Sequence, residues 1–302
     1  MTITLERLSA HRGEVGGLPI ARALPVPQRR TIGAWCFLDH AGPARSAPGQ
    51  GMRVAPHPHT GLQTFSWMME GEVLHRDSLG TVQRLQPGQV NLMTAGSGIC
   101  HSEEALTPEM HLAQLWIALP NSSRHGPAAF EHHPLLPRFE RGGFAATLLV
   151  GELEGLRSPC TVYSPLLGLD LLSESEGLAE ISLDLNPTFE YGLMVTEGEC
   201  LLAPEGGPAE PLQPGGLLYL APGAARATLS ARGRARALLL GGAPLADEEK
   251  PLLWWNFVGR SSEEIHQYAA DWNAGAGDFG SVQGFEGERL LAPPVPQLRA
   301  PR

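Results

Sequence analysis

The stretch LQPGQVNLMTAG, residues 85–96, returns as LQPGGLLYLAPG, residues 212–223, with 127 positions between the two copies. A Glu-Gly-Glu triplet precedes each at the same offset, Glu70-Gly71-Glu72 and Glu197-Gly198-Glu199. Gly71, Pro87 and Gly96 match Gly198, Pro214 and Gly223 without a gap. A turn residue, a short apolar run and another turn residue form the pattern of a short strand between tight turns, and its recurrence predicts one strand-turn-strand plan used twice.

Other apolar runs fit that plan. Gln63 to Met69, Val90 to Met93, Leu112 to Ala118, Ala145 to Val150, Leu217 to Leu220 and Ala237 to Leu240 are bounded by Gly, Pro, Asn or Asp and read as strands. The 36 glycines and 27 prolines supply the many turns such a chain requires. The expected class is all-β, two tandem barrels, with the join between roughly Pro120 and Pro137, giving domains 1–135 and 136–302. One short helix is expected near the end. Ser261 with Glu264 is a capping-box pair, Ile265, Tyr268, Ala269 and Trp272 follow at helical spacing, and Gly275 ends it.

Composition limits what the protein does. With 22 basic and 32 acidic residues the formal net charge is −10, and no basic cluster offsets it, which argues against direct nucleic-acid binding. No run approaches the 18 or so apolar residues of a membrane span, and the first residues lack a signal-peptide core, so a cytoplasmic location is expected. Cys36, Cys100, Cys160 and Cys200 are scattered without a Cys-x-x-Cys pair and read as reduced, mostly buried thiols.

His57 and His59 are separated by one residue, as are His101 and Glu103. In a strand, positions i and i+2 share a face, so each pair projects to one side of its sheet. On neighbouring strands the two pairs would bring together three imidazoles and a carboxylate, a donor set suited to Fe, Mn, Ni, Cu or Zn. A histidine pair in a polar loop is more often solvated surface, and the spacing alone leaves both readings open. The repeat supplies a control: the same positions carried forward by 127 are Asp184, Asn186, Thr228 and Ser230, and no histidine lies between His133 and His266. A fold requirement would have kept histidines in both copies, so the first copy reads as specialised for ligation and the second as scaffold.

Other polar residues receive milder readings. His75-Arg76-Asp77 admits a proton-relay reading, but His75 and Asp77 lie on one strand face and an exposed ion pair or a turn-stabilising set is the expected one. Cys100 alternates away from the face of His101 as a buried thiol. His132-His133, before a proline, is expected in a solvated linker, and Ser97 lacks a nucleophile-elbow motif.

Taken together, His57-Pro58-His59-Thr60-Gly61, His75-Arg76-Asp77-Ser78-Leu79-Gly80, Met93-Thr94-Ala95-Gly96-Ser97-Gly98 and His101-Ser102-Glu103 resemble the pirin family of the cupin superfamily. Phe37-Leu38-Asp39-His40 upstream and Gly241-Gly242-Ala243-Pro244 downstream extend the resemblance over nearly the whole chain. It implies a bicupin, two jelly-roll-like barrels. His57, His59, His101 and Glu103 would hold one divalent metal, iron(II) first, in the N-terminal barrel, and the C-terminal barrel would hold none. It further implies a quercetin 2,3-dioxygenase-type activity on a small aromatic substrate and O₂, with Glu103 taking the substrate's hydroxyl proton. The alternative it carries is a metal-dependent regulator that binds a metabolic enzyme or transcription factor. Thr60 and Gln63 stand where the family usually has Arg and Glu, and Ser97 where it often has Arg, which alters the charge around the expected pocket but not the expected ligands.

Overall fold

A computed structural model of the chain describes residues 3–47 and 49–298. Its two compact units are interleaved in sequence. One comprises residues 1–11, 21–38 and 135–244, the other 12–20, 39–134 and 245–302. Residues 245–302, including the C-terminal helix, belong to the unit of the expected ligands.

In the unit built mainly from the second copy, strands Leu5–Ser9, Gly216–Leu220, Glu190–Glu197, Ala235–Gly242, Leu166–Ser173, Phe144–Val150 and Arg138–Arg141 form one sheet in that order. A second sheet runs Leu178–Asp184, Arg226–Arg232, Cys200–Pro204, Glu210–Leu212. Their facing side chains form one apolar core, with Leu169, Leu193 and Leu239 from the first sheet and Ile181, Leu183 and Leu229 from the second. Alternation explains the pattern: Ala179, Ile181 and Leu183 are buried while Leu178, Glu180 and Asp184 are exposed. Asp170 and Arg236 are diagonal neighbours on adjacent strands, buried, in a two-pronged pair at 2.8 and 2.6 Å. Arg236→Ala would leave a bare buried carboxylate, and a loss of about 3–5 kcal/mol of stability is expected from urea unfolding. Joint replacement by Arg236→Met and Asp170→Leu should recover most of it.

In the unit carrying the first copy, Ala129–His133, Val90–Thr94, Leu62–Asp77 and Ile99–Ala118 are neighbours in one antiparallel sheet. Arg53–His59 pairs with Ile99–Ala118, and Val82–Leu85 with Leu62–Asp77. The pairing of the 16-residue strand Leu62–Asp77 with the 20-residue strand Ile99–Ala118 shifts register between Met68 and Glu70 and between Gly71 and Val73. His132-His133 is thus an edge-strand segment paired with Val90–Thr94, not a linker; the proline that follows at 134 ends the strand.

The repeat has a backbone cause. Gly71 and Gly198 adopt φ of +87° and +66°, and Gly96 and Gly223 adopt +54° and +127°, a region that side chains with a Cβ disfavour. The helix follows its capping signals: it spans Ser262–Ala274, Ser261 Oγ accepts from the Glu264 N–H at 3.2 Å, and Gly275 closes it at φ +70°. Its buried residues Ile265, Ala269 and Trp272 pack with Cys100, Leu252, Phe257 and Phe279. Among the described residues no helix is long and apolar enough to cross a membrane.

Candidate metal centre

The register of the strands assembles the candidate ligands. His57 stands opposite His101 across the Arg53–His59 and Ile99–Ala118 pair, and His75 stands opposite Glu103, with Asp77 opposite His101, across Leu62–Asp77 and Ile99–Ala118. His57, His59, His101 and Glu103 are all buried. One group of ligand atoms, within 4.8 Å of one another, comes from His57, His59 and His101; a second, equally close, comes from His75, His101 and Glu103. His101 is common to both. Glu103 thus lies beside His101 and His75, and not in the tight group of His57 and His59.

Hydrogen bonds set two of the imidazoles. His57 Nδ1 lies 2.9 Å from the Ala55 carbonyl oxygen, and His59 Nδ1 lies 3.1 Å from that of Asn256. A carbonyl oxygen only accepts, so both Nδ1 atoms carry the proton and both Nε2 atoms keep a lone pair. His59 Nε2 faces His101 Nε2 at 3.0 Å, and the ring centres of His57 and His101 are 4.4 Å apart. Burial holds His57 down to about 4 and pushes His59 and His101 well below the ordinary imidazole range, so all three are neutral near pH 7. Burial pushes Glu103 up. Neutral imidazoles with lone pairs aimed at one another form a donor set that fits a bound divalent cation, with the His57 and His59 rings each oriented by a bond from the far nitrogen.

The Asn256 carbonyl reaches His59 from the hairpin Leu252–Trp254 and Phe257–Gly259. Its turn residue Trp255 is held at φ +52°, a strained conformation for an aromatic residue. Gly61, at φ +65°, passes so close to Val258 that a Cβ would press on the Val258 carbonyl oxygen. Sequence reading missed Asn256 because it is nearly two hundred positions from His59; the unusual Trp254-Trp255-Asn256 turn was its only local sign.

Several expectations change. His75 and Asp77 are both 2% exposed, a buried pair and not a surface one. Asp77 Oδ1 also accepts from the Leu79 and Thr81 N–H groups, so the turn-stabilising part of the reading holds. Cys100 is buried away from the imidazoles among the helix residues, and burial lifts its thiol to about 11. Ser97 donates to the His125 carbonyl oxygen as a turn contact. All four cysteines are buried thiols.

The side chains around the imidazoles lie in two rows across the sheet. Phe130 stacks on His75 with ring centres 4.6 Å apart, and Trp116 meets His59 edge-on at 5.2 Å. One step along, His132, Asn91, Ser66 and Gln114 occupy successive strands in register. His132 Nδ1 lies 2.8 Å from Asn91 Oδ1, and Ser66 Oγ donates to Gln114 Oε1 at 2.7 Å.

In the second copy, Ser182 pairs with Thr228, and Asp184 with Arg226. Their side chains face outward: Thr228 Oγ1 donates to Ser182 Oγ at 3.3 Å, and Arg226 forms a surface pair with Asp184. Leu183, Leu185, Ala227 and Leu229 fill the inward positions. Among the described residues, both groups of potential metal ligands belong to the first copy.

Fold and site together define a two-barrel cupin protein with a histidine cluster in one barrel and an apolar core in the other. The pirin family model matches residues 17–117, and the model of the pirin C-terminal cupin domain matches residues 173–280. The chain belongs to the pirin family. A Pseudomonas aeruginosa protein named "Putative quercetin 2,3-dioxygenase" is 51% identical over 97% of this chain and 91% of its own length. A Caulobacter vibrioides "Pirin-like protein" is 36% identical, over 88% of this chain and 92% of that protein. The crystal structure of quercetin 2,3-dioxygenase from Acinetobacter baumannii superposes with a TM-score of 0.91 at 44% identity, covering 98% of this chain and 97% of that one.

Proposed function

We propose that the protein is a metal-dependent dioxygenase that acts on a flavonol-like aromatic substrate and O₂, with one divalent metal, iron(II) first, held by His57, His59, His101 and Glu103. The observation that carries this reading is the convergence of three buried neutral imidazoles beside a buried carboxylate. A relative at 51% identity with a quercetin 2,3-dioxygenase name, and a structure of that name at 44% identity, support the substrate class. A metal bound there would acidify a chelating hydroxyl and hold the substrate beside O₂.

The chain's own residues do the rest. Glu103, whose proton affinity burial raises, receives the hydroxyl proton. Phe130 and Trp116 offer aromatic faces next to His75 and His59, and Ser66, Asn91, Gln114 and His132 offer hydrogen-bonding groups for a hydroxylated ring. Four buried cysteine thiols support a place in the cytoplasm.

Iron-loaded protein mixed with quercetin under air should consume O₂ and yield a ring-opened product, and should do neither without O₂. Glu103→Gln should lower the rate by about 10²–10⁴-fold. Absence of O₂ uptake by fully loaded protein would remove the proposal.

A further inference from the structure

The third imidazole is oriented differently from the other two. Among the described residues no backbone carbonyl meets His101 Nδ1; it lies 3.3 Å from Nδ1 of His75, whose Nε2 lies 3.1 Å from Asp77 Oδ2. We propose that Asp77 and His75 are positioning residues that fix the tautomer of His101, so that its Nε2 lone pair is delivered to the metal. The proposal rests on the metal-centre reading above.

The contacts join the three groups in one line. Asp77 has one oxygen held by the N–H groups of Leu79 and Thr81, and these bonds favour the carboxylate form. An ionised carboxylate only accepts, so His75 Nε2 must carry its proton. In the proposed arrangement His75 carries its one proton on Nε2, and its Nδ1 accepts from the Nδ1–H of His101, 3.3 Å away. His101 therefore carries its proton on Nδ1, leaving Nε2 bare and directed at His59 Nε2, 3.0 Å away. The opposite tautomer of His101 would propagate back to a bare His75 nitrogen facing a carboxylate, two acceptors in contact in a buried site. Backbone carbonyls accomplish the same for His57 and His59, so the three rings share one rule: Nδ1–H is engaged outside, Nε2 is free inside.

The dyad is built for that position. His75 and Asp77 are nearly sealed from solvent, and the ring of Phe130 stacks on His75 at 4.6 Å and limits its rotation. Strand register sets Asp77 directly opposite His101 and His75 opposite Glu103. His75 also belongs to the second group of potential ligand atoms with His101 and Glu103, so direct ligation by His75 is the competing role and must be separated by the test.

The test uses full-length protein purified without a histidine tag and three variants: His75→Phe, His75→Gln and Asp77→Asn. Affinity for Co²⁺ and Cu²⁺ is measured by competition with a chelator, and the nitrogen superhyperfine pattern of the Cu²⁺ electron paramagnetic resonance spectrum counts the bound imidazoles. Folding of each variant is checked by thermal unfolding of the metal-free form. His75→Phe is expected to weaken metal binding by about 10–100-fold with the imidazole count unchanged. His75→Gln, whose amide oxygen can accept from His101 Nδ1, should recover much of that loss, and Asp77→Asn should weaken binding less than His75→Phe. Unchanged affinity in folded His75→Phe overturns the proposal, as does a lower imidazole count, which would make His75 a ligand. If the wild type itself binds neither ion, the metal-centre reading fails, an outcome distinct from failure of the dyad alone.

Discussion

His101→Ala protein, purified without a tag and dialysed against a chelator, is expected to retain less than about a tenth of the metal held by wild type, whose content should be near one ion per chain. His101 is the residue shared by the two groups of potential ligands, with His57 and His59 on one side and His75 and Glu103 on the other. Its loss removes a donor and also the link through which His75 and Glu103 meet the His57 and His59 pair. The fold should survive, because the vacated space is lined by polar groups and is roomy enough for water once the ring is gone. Asp184→Ala is the matching control, since Asp184 occupies a repeat-equivalent position but lies on the outer face in a surface pair with Arg226. It should keep full metal content. The same experiment carries a stability readout: at 100 times the dissociation constant, metal should stabilise wild type by about 2.7 kcal/mol and His101→Ala hardly at all. Full metal content in His101→Ala would defeat the assignment.

What could be read from the sequence was local or periodic. The 127-residue repeat was legible because its glycines hold positive φ values, a demand of the backbone that few other residues meet. The helix was legible from Ser261, Glu264 and Gly275, which act within one turn of its ends. The pairs His57/His59 and His101/Glu103 were legible because two-residue spacing fixes a shared face. Register was not. Bulges in the long strand Leu62–Asp77 decide that Asp77 stands opposite His101, and no sequence rule places a bulge between Met68 and Glu70. The same blindness made His75 and Asp77 look like surface residues and His132 like linker. Phase was equally hidden: carrying the ligand positions forward by 127 correctly found no histidine, yet gave no sign that Asp184 and Thr228 point outward while Leu183 and Leu229 fill the inward positions.

The interleaving of the two units was hidden for a related reason. Composition marked 120–137 as a junction, but residues 245–302 belong to the unit that begins the chain's histidine cluster. Two long-range contacts within that unit show what the segment does there. The Asn256 carbonyl meets His59 Nδ1, and the Phe257 backbone forms a parallel bridge with Thr60. An apolar helix face announces that it will be buried, not against which of two barrels.

The metal-free protein is expected to lose stability steeply as pH falls from about 6.5 to about 4. His57 has a folded-state value of about 4 against an ordinary value near 6.5, because burial disfavours the imidazolium. A depressed value means that the unfolded chain binds the proton more readily than the folded one. The contribution of His57 is then fully present above about pH 6.5 and is lost as pH falls through 4, amounting to about 3 kcal/mol at 1.4 kcal/mol per unit. His59 and His101 are displaced in the same direction by the same cause, with the neighbouring imidazoles adding to it. Glu103 acts in the opposite sense: its raised value favours the folded state once it is protonated, so it offsets part of the loss. Three histidines against one carboxyl leave the net slope downward on acidification. Bound metal should flatten the curve until protons displace it, because ligation requires deprotonated imidazoles. Urea midpoints of apo and metal-loaded protein between pH 7.5 and 4.5 provide the measurement, with His57→Gln as the variant in which the apo slope should shrink. An apo midpoint that stays level across that range would show that the imidazoles are not buried as the structure has them, and with that the case for a desolvated donor set would fall.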